Sequence, residues 1–206
     1  MKGRKLTGEF RNGKKHGNWT YWKENGKTDR EESYFEGNKN GNWVYYNDDG
    51  IKERVEKYEK GKDTGHKIFF YDNGKKEKEE FHVKGLRNGK WTTWYHNGKK
   101  EKEEYYKKGN KIGKWNYYSE IGKKESTVSY QNDNKDGRSI YFYSNSRKKQ
   151  REESWKRNVE NGLWIWWAED GKKTEEGNYK TGQKHGIWIS YNSRGRKIEE
   201  SQWKNG

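Results

Sequence analysis

Rings and cations alternate along this chain. Twelve Trp and sixteen Tyr are interleaved with 47 Lys and Arg among 206 residues. Aromatic faces flanked by ammonium or guanidinium groups can stack bases or sugars and can hold cations. The lysine pairs Lys75-Lys76, Lys99-Lys100, Lys123-Lys124 and Lys172-Lys173 are groups that grip phosphates with salt-dependent affinity. Glu31, Glu79, Glu103, Glu152, Glu176 and Glu200 recur beside them and blunt any phosphate site. His16 and His185 hold equivalent positions too far apart in the chain to share a metal, and His66, His82 and His96 fall at three different phases. No metal site is therefore expected. There is no nucleophile motif, phosphate loop or non-repeated acid–base cluster, so no catalytic residue and no cofactor is expected either. The absence of cysteine removes thiol chemistry and disulfides.

The elements that hold these residues repeat. Gly17, Gly41, Gly65, Gly89, Gly113, Gly137, Gly162 and Gly186 mark a period of 24 with one step of 25. A period in that range signals a stacked array in which each unit contacts mainly its neighbours. The chain has 25 glycines and no proline, with glycines at both ends of short aromatic runs, which reads as strands joined by tight turns. The expected fold is all-β: an elongated, single-sheet antiparallel meander of eight hairpin repeats, twisted or curled like a solenoid, with residues 1–206 as one repeat domain.

Each aromatic strand ends in Asn25-Gly26, Asp49-Gly50, Asn73-Gly74, Asn97-Gly98 or Asp170-Gly171, dipeptides expected to form two-residue hairpin turns. Nine residues before each leading aromatic stands another, giving Phe10/Trp19, Tyr34/Trp43, His82/Trp91, Tyr106/Trp115, Trp155/Trp164 and Tyr179/Trp188. These are expected to face each other across the loop. Tyr45, Tyr117 and Trp166 should share that face, whereas Val44/Tyr46, Ile68/Phe70, Thr92/Trp94, Ile140/Phe142 and Ile165/Trp167 should lie on the other. The sixth repeat is degenerate: Asp133 and Asn158 replace loop glycines, Ser146 the turn glycine and Ser139 the Trp, and one extra residue lies within 147–157. A bulge or a change of curvature is expected there. Trp203 opens a ninth unit without its aromatic strand, as expected of a shortened chain or of an edge covered by another chain.

Composition narrows the class. Only 26% of residues are hydrophobic and 38% are charged, values that usually mean disorder; the phased aromatics argue for a folded sheet instead. A net charge of +15 favours acidic partners. Residues 1–8 contain no apolar run, so neither a signal peptide nor a membrane span is expected, and the chain reads as soluble. The compartment stays open between the cytoplasm and the mature form of an exported protein.

The unit Asn-Gly-Lys-x-x-Gly-x-Trp-x-x-Tyr, followed by Asn-Gly-Lys and a Glu-rich strand ending in Tyr, is clearest over residues 12–34 and 84–106. It resembles the bacterial variant of the MORN repeat, and the resemblance covers nearly the whole chain. It implies an open-faced β-meander used as a scaffold in protein association, proposed in some cases to bind phospholipid. Bacterial proteins of this type include antitoxins and immunity partners of secreted toxins. Lys67 and Ser139 break the pattern at the Trp position. A second resemblance, ranked lower, is to choline-binding cell-wall repeats, whose hairpins hold quaternary ammonium groups between rings.

These readings favour a non-enzymatic scaffold for another macromolecule. A protein partner ranks first, in an antitoxin, immunity or adaptor role. Nucleic acid, an anionic membrane surface or a cell-wall polymer ranks second, and edge-to-edge self-association is a further option. The aromatic rows are read first as the core of a one-layer sheet. Binding is therefore sought where a rung is broken, doubled or left over: Trp43, Tyr58, Lys67, Trp94, Tyr130, Trp166, Trp167 and Trp203.

Overall fold

Alternating residues on a strand point to opposite faces, so a chain with aromatics in both phases needs a sheet that uses both. The computed structural model describes residues 6–204. The first residues of the N-terminal stretch and the end of the ninth unit lie outside them. The described residues form twenty-one strands and no helix, so no helix among them is long and apolar enough to cross a membrane. The chain divides into two compact units, Met1–Lys99 and Lys100–Gly206.

Each unit is an open antiparallel meander whose strands pair in chain order. In the first, Leu6–Arg11, Lys14–Trp22, Thr28–Phe35, Gly41–Tyr46, Lys52–Glu59, Lys62–Phe70, Lys76–Val83 and Gly89–Trp94 follow one another. The second runs Lys100–Lys107, Asn110–Tyr118, Lys124–Gln131, Gly137–Phe142, Lys149–Lys156, Gly162–Trp167, Lys173–Lys180, Gln183–Tyr191 and Lys197–Trp203.

The turn chemistry differs from expectation. The two-residue turns lie at the other end of each hairpin, where Asn12 and Gly13 have φ of 51° and 72° between the paired Arg11 and Lys14. Two consecutive positive φ angles match the twist of the flanking strands. In the sixth repeat Asp133 and Asn158 hold φ of 67° and 66°, so they replace glycine without loss of the turn. After the aromatic strand the loop is longer. Gly26 N–H donates to Lys23 O at 3.0 Å, and Lys23 N–H donates to Lys27 O at 2.8 Å. Asn25 serves there as a side-chain acceptor, its Oδ1 taking the Lys27 amide at 3.0 Å. The extra residue of the sixth repeat is absorbed in this loop, where Tyr143 N–H donates to Lys148 O at 3.1 Å.

A second irregularity positions the tryptophans. Tyr34 pairs with Lys39 while Glu31 pairs with Val44, so the strand leading into Trp43 carries extra residues around Gly41, whose φ is 90°. This bulge swings the indole back over the preceding strand.

Candidate functional site

All six nine-residue pairs are in ring contact. Centroid distances run from 4.8 Å for Phe10–Trp19 to 5.4 Å for Tyr34–Trp43, with His82–Trp91, Tyr106–Trp115, Trp155–Trp164 and Tyr179–Trp188 between them. The rows continue across the next hairpin at Trp43–Tyr58, 5.2 Å, and Trp115–Tyr130, 4.9 Å. Indole Nε1–H groups donate to backbone carbonyls exposed by the bulge, as Trp43 does to Ser33 O at 3.2 Å and Trp91 to Phe81 O at 3.0 Å.

Cations cover these rings. Four residues before five of the six ladder tryptophans a lysine or arginine folds over the indole: Lys15 on Trp19 at 4.5 Å, Lys39 on Trp43 at 3.8 Å, Arg87 on Trp91 at 4.7 Å, Lys111 on Trp115 at 4.7 Å and Lys184 on Trp188 at 3.8 Å. A second cation covers the ring two residues after the Trp position, with Arg30 3.9 Å from Tyr21, Arg54 4.4 Å from Tyr45 and, in the repeat where Ser139 replaces the Trp, Arg151 3.8 Å from Tyr141. Desolvated contacts of this kind are favourable. They also occupy the π faces that a nucleobase would stack on.

Buried carboxylates answer the charge. Glu32 is buried and takes Arg30 Nε–H at 2.8 Å and the Tyr34 hydroxyl at 2.8 Å. Burial pushes the Glu32 carboxyl up, but the bonds from Arg30 and Tyr34 outweigh it and hold the group below its ordinary value. Burial, followed by the bond to Glu32, raises the Tyr34 phenol. The same set recurs as Arg54–Glu56 at 3.3 Å and Arg151–Glu153 at 2.7 Å.

The opposite face is tied differently. Tyr46 donates to Glu31 at 3.0 Å and Tyr118 to Glu103 at 3.0 Å. Burial, then the bond to the carboxylate, pushes each of these phenols up to about 12. In three of the four pairs the second lysine bonds a glutamate three residues on, with Lys76–Glu79 at 2.9 Å, Lys100–Glu103 at 2.7 Å and Lys173–Glu176 at 2.7 Å, whereas Lys124 donates to Asn116 Oδ1 at 3.0 Å. The first lysine reaches forward to a turn carbonyl of the next repeat: Lys75 to Asn97 O at 2.8 Å, Lys123 to Asn145 O at 2.9 Å and Lys148 to Asp170 O at 2.8 Å. The lysine rows are thus structural partners as well as a basic surface.

The candidate binding residues do not form one site. Trp43 is buried in its ladder. Tyr58 donates to Glu56 at 3.0 Å, and Lys67, in the place of a Trp, lies 3.5 Å from Glu56 and 3.9 Å from Asp63. Trp94 and Trp167 lie on the opposite face, with Lys76 and Lys149 at 5.3 and 5.4 Å. Tyr130 contacts the Trp115 ring at 4.9 Å; Ser139, in the place of a Trp, is wholly buried and its Oγ has no partner among the described residues. Trp166 contacts Trp164 and Trp188 at 5.6 and 5.9 Å. Trp203 keeps 37% of its surface and lies 5.4 Å from Lys184.

Histidines play ladder and surface parts. His66 stacks on Phe81 at 4.2 Å and contacts Glu79 at 2.8 Å, while His96 contacts Asp72 at 2.7 Å. Among the described residues no group of three or more potential ligands converges.

Two features escaped the sequence reading. Leu163 and Ile187 are 41% and 49% exposed at the position where the other repeats carry Asn18, Asn42, His66, Lys90, Lys114 and Arg138. Glu160 and Glu175 stand where other repeats place ring-covering cations. Both substitutions show once the strands are set in register.

Comparison with known proteins fits this geometry. The MORN repeat variant model matches residues 15–36, 87–108 and 160–181, which supports a MORN-repeat family. Such repeats often serve as binding or scaffold modules and are generally non-catalytic. No curated protein matches the chain.

Proposed function

We propose that the chain is a non-enzymatic repeat scaffold that binds another protein, in an antitoxin, immunity or adaptor role. The observation that carries this reading is the apolar strip of the seventh and eighth repeats. Leu163 precedes Ile165 and Trp167 on one strand, and Ile187 precedes Ile189 and Tyr191 two strands away. By strand alternation all six share the face opposite the Trp ladder; Leu163 and Ile187 are the exposed members, and Asn178 and Glu176 of the intervening strand, paired with Leu163 and Ile165, lie between the two rows. Two residues of the strip replace side chains that are polar or charged in every earlier repeat. Exposed apolar residues gathered on one face mark contact surfaces. The exposed Lys156 and Lys180 follow Trp155 and Tyr179 and border the strip, and with the net charge of +15 they select an acidic partner surface.

The test is to recover the partner by co-purification from the native host, purify it, and measure its affinity for wild type and for the Leu163→Asp/Ile187→Asp double variant. A loss of at least tenfold with an unchanged unfolding midpoint is expected. Undiminished affinity removes this surface.

The net charge also favours a second reading, a basic surface for nucleic acid, anionic lipid or cell-wall polymer. Affinity for those polymers falls steeply between low and moderate salt, whereas an interface anchored by Leu and Ile falls little. Failure to shift oligonucleotides or to bind anionic vesicles at low salt ends the second reading.

A further inference from the structure

In the seventh repeat the charges around the Trp ladder are reversed. The position four before the Trp, which supplies the covering cation at Trp19, Trp43, Trp91, Trp115 and Trp188, holds Glu160 before Trp164. Its backbone placement is the same: Glu160 pairs with Trp155 as Lys39 pairs with Tyr34 and Lys135 with Tyr130. The position that pairs with the second ring, Arg54 against Tyr45 and Arg151 against Tyr141, holds Glu175 against Trp166. The position of the buried carboxylates Glu32, Glu56 and Glu153 holds Gly177.

The third repeat also has an acid in the cation position, and the comparison is informative. There Asp63 comes with Lys67 in place of the Trp, 3.9 Å away, so acid and cation are exchanged within the repeat. The seventh repeat keeps the ring and gains the acid without an exchanged cation. Glu175 is answered by Lys184 at 3.4 Å, and Lys135 sits 4.6 Å from the Trp155 ring. Among the described residues no cation covers Trp164, and Glu160 has no ion-pair partner. Consistently, Trp164 is 8% exposed, against 3–6% for Trp19, Trp43, Trp91, Trp115 and Trp188. Around it the rings are dense: Trp155 at 5.2 Å, Trp166 at 5.6 Å and Tyr179 at 5.0 Å.

An aromatic cluster beside an unpaired carboxylate attracts a cation through both the ring quadrupoles and the charge. We propose that Trp155, Trp164, Trp166, Tyr179 and Glu160 form a receptor for an ammonium or guanidinium group supplied from outside the chain. The incoming group takes the place that a lysine or arginine fills in six of the other repeats. Only its source, a side chain of the bound protein, rests on the scaffold reading given above; the site itself does not.

The experiment is a titration of the whole chain with N-acetyl-lysine amide and, separately, with tetramethylammonium chloride, followed by the indole Nε1–H resonances. Saturable shifts are expected at Trp164 and Trp166, and none at Trp188, which already carries Lys184. The variant Glu160→Lys, which introduces the side chain that five other repeats carry there, should lose affinity at least tenfold and unfold no earlier than wild type. Absence of a saturable shift in wild type, or equal affinity in Glu160→Lys, overturns the proposal. Binding of the lysine derivative assigns the site to a protein side chain, and binding of tetramethylammonium alone assigns it to a free quaternary ammonium. If the strip variants leave partner affinity intact while this titration succeeds, the docking surface falls and the cation site stands.

Discussion

The Ser33 carbonyl accepts two hydrogen bonds, one from the Asn40 amide at 2.9 Å and one from the Trp43 indole at 3.2 Å. The bulge around Gly41 brings both donors to one oxygen, and the same doubling recurs at Phe81 and Ser154. The conserved-looking Gly-x-Trp spacing within this chain thus has a local cause: the glycine makes the bulge and the indole closes it.

Trp43→Phe should therefore cost about 1 kcal/mol for the lost hydrogen bond, and Trp43→Ala about 3–5 kcal/mol for the lost burial. Urea unfolding of the two variants separates the terms. A Trp43→Phe midpoint equal to that of wild type would mean that the indole bond contributes nothing.

The phenols of Tyr46 and Tyr118 are pushed up to about 12 from an unfolded value near 10. A group whose pKa is raised by folding stabilises fully below its unfolded pKa, and that contribution is lost as pH rises through the folded one. Stability should fall between about pH 10 and 12, and Tyr46→Phe with Tyr118→Phe should flatten that fall. Denaturant midpoints at stepped pH check it.

Acid acts in the opposite sense. Glu32, Glu79 and Glu176 titrate below their ordinary value because the bonds from Arg30 and Tyr34, from Lys76 and His66, and from Lys173 and Tyr191 outweigh a burial effect that pushes them up. Their contribution is present above the unfolded carboxylate pKa of about 4.3 and is lost as pH falls through the folded values. Glu32→Gln should weaken the acid dependence of the unfolding midpoint, and a variant with the wild-type profile would show that the Arg30 pair is energetically silent.

Gly177 has no steric room. A Cβ there would sit 2.2 Å from the Trp188 ring, so Gly177→Ala should cost about 1–3 kcal/mol by overpacking. The calorimetric midpoint of this variant, set beside that of an alanine at the exposed Asn178, gives the measurement.

Ser139 Oγ is fully buried without a partner among the described residues. Ser139→Ala should be neutral or stabilising by about 1 kcal/mol. A destabilised variant would mean that the hydroxyl has a partner, such as an ordered water.

The ladder was legible in the sequence because the nine-residue spacing has a physical cause, a tight turn plus a bulge between two rings on one face. The turn types were not. Asn-Gly suits a two-residue turn by its dihedral freedom and a longer loop by its side-chain acceptor, and Asn12-Gly13 and Asn25-Gly26 take one role each. The lysine pairs read as phosphate-gripping groups because sequence shows charge but not reach; Lys75 spans a whole repeat to find Asn97 O. Glu160 was visible in the chain, but its meaning depends on register: only after Lys39 is seen over Trp43 does a glutamate at the same position become an anomaly. The same holds for Leu163 and Ile187, whose face is set by strand alternation and whose exposure depends on what the neighbouring strands carry.

The forward reach of the first lysine gives each array a polarity. Lys75, Lys123, Lys148 and Lys172 each bond a carbonyl 21 or 22 residues later in the chain. During synthesis from the amino end, every such lysine leaves the ribosome before the turn it fastens. A finished hairpin therefore presents a ready latch to its successor, and the chain can be built one rung at a time, each rung a template for the next.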